Sequence, residues 1–184
     1  MTNRIYTVFE KVGLVNESNN MIIKTGITKL ENLVLDFLFA AVLSGILGNA
    51  LIGVVFEACY MVLRIFAGGY HASTPRKCLW FTYGSTCICM IFIFMMPFMI
   101  HIFAILIVAF DGIILIMTPI QSENKPLCNM EKKVYHRNCV CISLVLTGIF
   151  LLLSAFRQPL YAKAVFMSIA LVVMGLLAEI VKKK

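Results

Sequence analysis

Ala41-Val-Leu-Ser-Gly-Ile-Leu-Gly-Asn-Ala-Leu-Ile-Gly-Val-Val55 lies inside a mostly apolar run that extends from Leu30 to Leu63. One bilayer crossing needs about 20 apolar residues, with about 17 the lower limit, so this run is too long for a single span. The Gly48-Asn49 step decides how it divides, because Gly and Asn make a poor helix interior and a good turn. The run therefore reads as two segments, about 30–47 and 51–66, the second of them short. One long helix, kinked at the same step, is the alternative. Four more apolar segments follow at about 79–96, 100–119, 139–156 and 164–181. The expected fold is all-α: a polytopic helical membrane protein with about six transmembrane segments.

Composition agrees with that class. Apolar residues make up 61% of the 184-residue chain and charged residues only 14%. Soluble domains average about 45–50% and about 25%. Charges also cluster between the apolar runs. The length fits a single membrane domain over 1–184, with little room for a separate soluble module. Residues 1–20 carry Arg4, Glu10, Lys11 and Glu17 and lack the early apolar core of a signal peptide. Ile5, Val8, Phe9 and Val12 instead recur at helical spacing, and Ile23, Ile27 and Leu30 continue the stripe. An amphipathic helix on the membrane surface is expected over 1–29.

Seven cysteines, an odd number scattered mostly through apolar runs, do not form a disulfide framework. The Cys87/Cys89 and Cys139/Cys141 pairs resemble metal motifs on paper. Two residues apart on a helix, however, their side chains point roughly 200° apart, so neither pair can close on one ion. No metal and no cofactor are expected.

Six spans put all Lys and Arg on one face of the membrane except Arg157 and Lys163. By the positive-inside rule that face is cytoplasmic, with both termini, the turn 67–78 and the basic loop 121–138. A net charge of +7 gathered there suits anionic membrane lipids or an acidic partner. It does not point to nucleic acid, since no soluble basic module exists to bind it.

The chemistry-bearing stretch is Arg64-Ile-Phe-Ala-Gly-Gly-Tyr-His-Ala-Ser-Thr-Pro-Arg-Lys-Cys78. Gly68-Gly69 ends the second apolar segment and turns the backbone. Thr74 and Pro75 suit the cap and first position of a new helix. Cys78 would lie in its first turn, near the positive helix end and beside Arg76 and Lys77, which favours thiolate over thiol. His71, seven residues away across the turn, is the natural base. An imidazole that takes the thiol proton and then protonates a leaving amine is the minimum kit for cysteine acyl transfer. Cys128 and His136, in the basic loop, are a rival pair without a comparable helix start. Among intramembrane acids, Asp36, Glu57 and Asp111 are functional candidates by default, though none is assignable as a third catalytic group.

Arg64, Gly68-Gly69-Tyr70-His71-Ala72 and Cys78 together resemble the signature of the AgrB family, the accessory gene regulator B proteins of Gram-positive quorum sensing. Ser122-Glu123-Asn124-Lys125-Pro126-Leu127 is similar to the Asn-Lys-Pro-rich loop after the fourth span of that family. Length, amphipathic N-terminal region and basic C-terminal end match as well. One position departs from the family pattern: Ile120 follows Pro119 where an Asp is common. The resemblance implies a membrane-embedded cysteine endopeptidase, with Cys78 as nucleophile and His71 as base. Its substrate would be a short precursor of the AgrD type, whose acidic tail is removed at the cytoplasmic face. The acyl-enzyme thioester would then give a cyclic autoinducing peptide. Arg64, Gly69, Arg76, Lys77, Lys125, Lys132, Lys133 and Arg137 are the candidate substrate-binding residues. A homodimer is compatible with the sequence and not fixed by it. The competing readings are a small-peptide transporter and a membrane scaffold, both without covalent chemistry.

Overall fold

The computed structural model of the chain describes residues 20–68, 75–120 and 128–182, with the side chains of 75–78 and 182 outside that description. Six helices follow one another: α1 Asn20–Ile46, α2 Ala50–Ala67, α3 Pro75–Met95, α4 Ile100–Met117, α5 Asn129–Ala155 and α6 Pro159–Lys182. No strand occurs among the described residues, and the expected all-α class holds. Four helices, α2, α4, α5 and α6, have the length and apolarity to cross a membrane, and Leu79–Met95 of α3 is a shorter apolar helix. The chain divides into two compact units, residues 1–39 and 40–184. The described part of the first, residues 20–39, is helical throughout as part of α1, with Met21, Ile22, Leu30 and Leu38 exposed. The expected surface helix begins before it, and its residues 1–19 lie outside the description.

Within the second unit, the Gly48-Asn49 step breaks the chain as its chemistry requires. Gly48 takes φ 125°, open to glycine without strain, and Asn49 caps α2 by accepting from Leu51 N at 3.0 Å. Asn49 Nδ2 also donates to Tyr161 Oη of α6 at 3.4 Å. Gly53 lets α2 press against the end of α1, since a Cβ there would overlap Ala40 O and Ser44 Oγ. Ser44 Oγ accepts from Gly53 N at 3.0 Å and donates to Ala50 O at 3.1 Å, so this buried hydroxyl is satisfied twice.

α6 is the centre of the unit. It packs on α2, α3, α4 and α5, and 67% of its apolar window is buried against 11% for α4. Ala162, Ala164, Ser168 and Ala170 are all buried on it, small residues that let neighbouring helices approach. Phe166 meets Phe103 edge-on at 4.7 Å between ring centres, and Phe98 and Phe150 complete an aromatic cluster. Most apolar side chains of α4 stay exposed, as expected of a helix whose outer face is solvated by lipid.

α5 differs from expectation. Residues 129–138, read as loop, form its first turns. Cys128 N donates to Glu131 Oε2 at 2.9 Å, the reciprocal half of a capping box, and the acidic side chain suits the positive helix end. The Cys-x-Cys geometry is as expected: Cys139 is buried while Cys141 is exposed.

Candidate functional site

The Gly68–Ile120 bridge and the Phe66–Tyr135 contact gather the ends of α2 and α4 and the start of α5 at one end of the second unit, and α3, whose other end meets the start of α6 through Lys163, begins at that same end. The chemistry-bearing stretch leaves α2 at this end and enters α3 six residues later. α3 begins at Pro75, the position that Thr74-Pro75 predicts, with Arg76, Lys77 and Cys78 in its first turn. Gly69 and His71, like Lys125, lie outside the described residues.

A clasp fixes the point where that stretch departs. Gly68 N donates to Arg64 O at 3.2 Å, closing α2. Ile120 N donates to Ala67 O at 3.2 Å, and Gly68 and Ile120 form an isolated parallel bridge. Gly68 has φ 74°, and a Cβ added there would stand 2.5 Å from Ile120 O. Conformation and space both demand glycine. The tail of α4, Thr118-Pro119-Ile120, is held in turn. Thr118 Oγ1 donates to Ile114 O at 2.7 Å, and His136 Nδ1 lies 2.8 Å from Thr118 O. Phe66 and Tyr135 pack edge-on at 5.7 Å between the same helix ends. Ile120 thus serves the clasp through its backbone.

The other sequence candidates separate into groups. Arg64 lies in the last turn of α2, its guanidinium 5.6 Å from the Tyr60 ring centre and its Nη1 3.3 Å from where a Gly175 Cβ would be. It is therefore lodged against α6. Lys132, Lys133 and Arg137 stand on the opening turns of α5, with Lys133 and Arg137 exposed. Cys128 and His136 do not form a pair: eight residues of helix separate them by about 12 Å along the axis, one exposed at the cap and the other in the clasp. Asp111 accepts from Ser143 Oγ, and from Thr147 Oγ1 at 2.7 Å. Those bonds commit it to joining α4 and α5, about 10 Å below the clasp by helical rise. Glu57 is buried on α2, and Glu179, which the sequence reading passed over, is buried on α6.

A family comparison decides what this end of the bundle belongs to. The family model described as Accessory gene regulator B matches residues 2–177. The chain belongs to the AgrB family. It is thereby a membrane component of the accessory gene regulator system, the peptide-processing branch of quorum sensing. AgrB proteins are the processing peptidases of that system, and the match runs through the turn and the clasp and ends within α6. Comparison with curated proteins and with solved structures gives no match. The clasp partners Thr118 and His136 were not singled out as a pair in the sequence, because 18 residues separate them and only the fold joins them.

Proposed function

We propose that this AgrB protein is a membrane-embedded cysteine endopeptidase acting on a short AgrD-like precursor at the cytoplasmic face. His71 takes the Cys78 thiol proton, and the thiolate adds to the carbonyl carbon before the precursor's acidic tail. The carbon–nitrogen bond breaks, the amine leaves with the proton from the imidazolium, and the peptide stays on Cys78 as a thioester. A thiol or hydroxyl of the same peptide then attacks that thioester, closing the ring and releasing Cys78. Capture by an internal nucleophile outruns hydrolysis because its effective molarity is high and the membrane surface limits water.

The observation that carries this reading is the start of α3 at Pro75, within a chain of the AgrB family. A thiol in the first turn of a helix, beside Arg76 and Lys77, is stabilised as thiolate by the unpaired N–H groups and the helix dipole. Arg64 and Gly69 would shape the turn, while Arg76, Lys77, Lys125, Lys132, Lys133 and Arg137 would meet the acidic tail. Both termini would be cytoplasmic. Labelling of the exposed Cys128 thiol by an impermeant reagent from outside intact cells would refute that orientation.

Co-expression with a tagged precursor, scoring tail release on a gel, tests the chemistry. Cys78→Ala abolishes release and the covalent adduct, and Cys78→Ser is nearly as poor. His71→Ala slows release by roughly two to four orders of magnitude, the usual worth of a general base. Cys59→Ala and Cys128→Ala process normally. Wild-type release by Cys78→Ala would overturn the assignment in favour of transport or scaffolding without covalent chemistry.

A further inference from the structure

α2 and α6 run side by side in the same direction. Asn49 Nδ2 donates to Tyr161 Oη where the two begin, and Arg64 Nη1 stands 3.3 Å from where a Gly175 Cβ would be, in the last turn of α2. The two contacts keep one register to within a residue. Gly175 is thus about level with Arg64, and Glu179, one turn on, is about level with Gly68, where the chain leaves α2. Glu179 is only 4% exposed. Gly175 has no side chain, which leaves a notch on α6 for the guanidinium. Side chains on a helix lean toward its N-terminus and cover the turn before their own Cα. Glu179, about 6 Å along the axis beyond Gly175, therefore leans back over that notch. Among the described residues, Glu57 is the other buried acid. It lies two turns, about 10 Å, before Arg64 on the same helix, and both side chains lean the same way, which keeps them apart.

We propose that Glu179 is a positioning residue of the processing site: its carboxylate receives the Arg64 guanidinium over Gly175, and the pair pins the last turn of α2 to α6. The chemistry of the two groups suits that contact. A guanidinium offers its donors in a planar fork that matches a carboxylate, and it keeps its charge when half-buried. A buried carboxylate in turn needs a paired charge and hydrogen bonds to offset its lost hydration. The Tyr60 ring, 5.6 Å from the guanidinium carbon, backs the arginine from its own helix. The same turn of α2 is held from the α4 side, where Ile120 N donates to Ala67 O. Grip from two sides fixes the direction in which the chain departs at Gly68 toward Cys78. The consequence for catalysis rests on the cysteine-peptidase reading above, whereas the pair itself does not.

A double-mutant cycle on the full-length, reconstituted protein tests this, with kcat and KM for a tagged precursor and the thermal midpoint as readouts. Arg64→Gln and Glu179→Gln should each lower kcat by about ten- to a hundredfold, the scale of an ångström-size misplacement near a reacting centre. For Glu179→Gln, KM should stay within about twofold, as for a group that does not touch the peptide. The double variant should be no worse than the poorer single, since either change breaks the same pair. Exchanging the charges, Arg64→Glu with Glu179→Arg, should recover much of what either reversal alone loses. Arg64→Gln combined with Glu57→Gln should be additive. Additive losses at 64 and 179, or coupling of Arg64 to Glu57 instead, would refute the pair. Coupled thermal midpoints with an unchanged kcat, or a raised KM alone, would refute the positioning role. Tail release that persists in Cys78→Ala would strike the cysteine reading and the positioning role with it, while coupled midpoints would still uphold the pair. Should the single variants fail to fold, the exchange variant decides: if it is no better folded than a single reversal, the pair is refuted.

Discussion

His136 Nδ1 stands 2.8 Å from the carbonyl oxygen of Thr118, and this bond ties the start of α5 to the short tail that clasps Gly68. A carbonyl oxygen only accepts, so Nδ1 carries the proton. Loss of the donor leaves that carbonyl without its partner and frees the segment that fixes where the chain leaves α2. A net hydrogen bond of this kind is worth about 0.5–1.5 kcal/mol. His136→Phe should therefore slow tail release by about two- to tenfold, and His136→Asn, whose amide can still donate, should recover part of it. Because His136 is argued to act through the clasp, the change should appear in kcat with an unaltered pH profile. A lost or shifted limb in the pH profile would make it an acid–base group instead.

Gly68 is the least replaceable residue of the clasp. With φ 74° and 2.5 Å between an added Cβ and Ile120 O, alanine meets both a disfavoured conformation and a backbone atom that cannot step aside. The conformational part alone costs about 1 kcal/mol or more. Gly68→Ala should lower the thermal midpoint of the purified protein and reduce processing together, whereas Gly48→Ala, with φ 125° but nothing within 4 Å, should cost only the conformational part.

How much of this was legible in sequence depends on the range of the interaction. The Gly48-Asn49 break and the helix start at Pro75 were readable, because caps and turns are written in adjacent residues. The early start of α5 was missed since Cys128 is not a usual cap and Lys132, Lys133 and Arg137 gave the segment the look of a solvated loop. The clasp joins Ala67, Thr118 and His136 across three helices, and no spacing rule announces such a pairing. Lys163 looked like a boundary charge at the sparsely charged end. Only packing reveals that it is buried against the end of α3. His71, the base of the proposed chemistry, was legible only as sequence.

Asp111 tests whether an intramembrane acid serves structure or catalysis. Its two hydroxyl partners sit one turn apart on α5, so the carboxylate brackets α4 against α5. Interhelical hydrogen bonds in membranes average about 0.6 kcal/mol and reach about 1.7, so two of them are worth about 1–3 kcal/mol. Asp111→Ala should lose that much stability in a detergent unfolding titration. Asp111→Asn, which keeps an acceptor, should lose less. Folded Asp111→Ala should still release the tail at a rate near wild type, and a loss of several orders of magnitude would move Asp111 into the catalytic machinery.

Lys132, Lys133 and Arg137 lie on the opening turns of α5, at the same end as the start of α3. Lys133 and Arg137 are four residues apart, which puts their side chains on one face of the helix about 6 Å apart at Cβ. Such a stripe suits the acidic tail of a precursor, and it suits anionic headgroups as well, so the two roles must be separated by kinetics. Charges that steer a peptide raise its encounter rate and act over a Debye length of about 8–10 Å. Replacing all three by Gln should raise KM several-fold, leave kcat within about twofold, and flatten the salt dependence of processing. A precursor whose tail acids are made neutral should already show that flat dependence with the wild-type enzyme, and the Gln variant should then cause no further loss. If the triple variant inserts normally and its KM and salt dependence match wild type, the basic turns of α5 serve membrane orientation and have no part in recognising the tail.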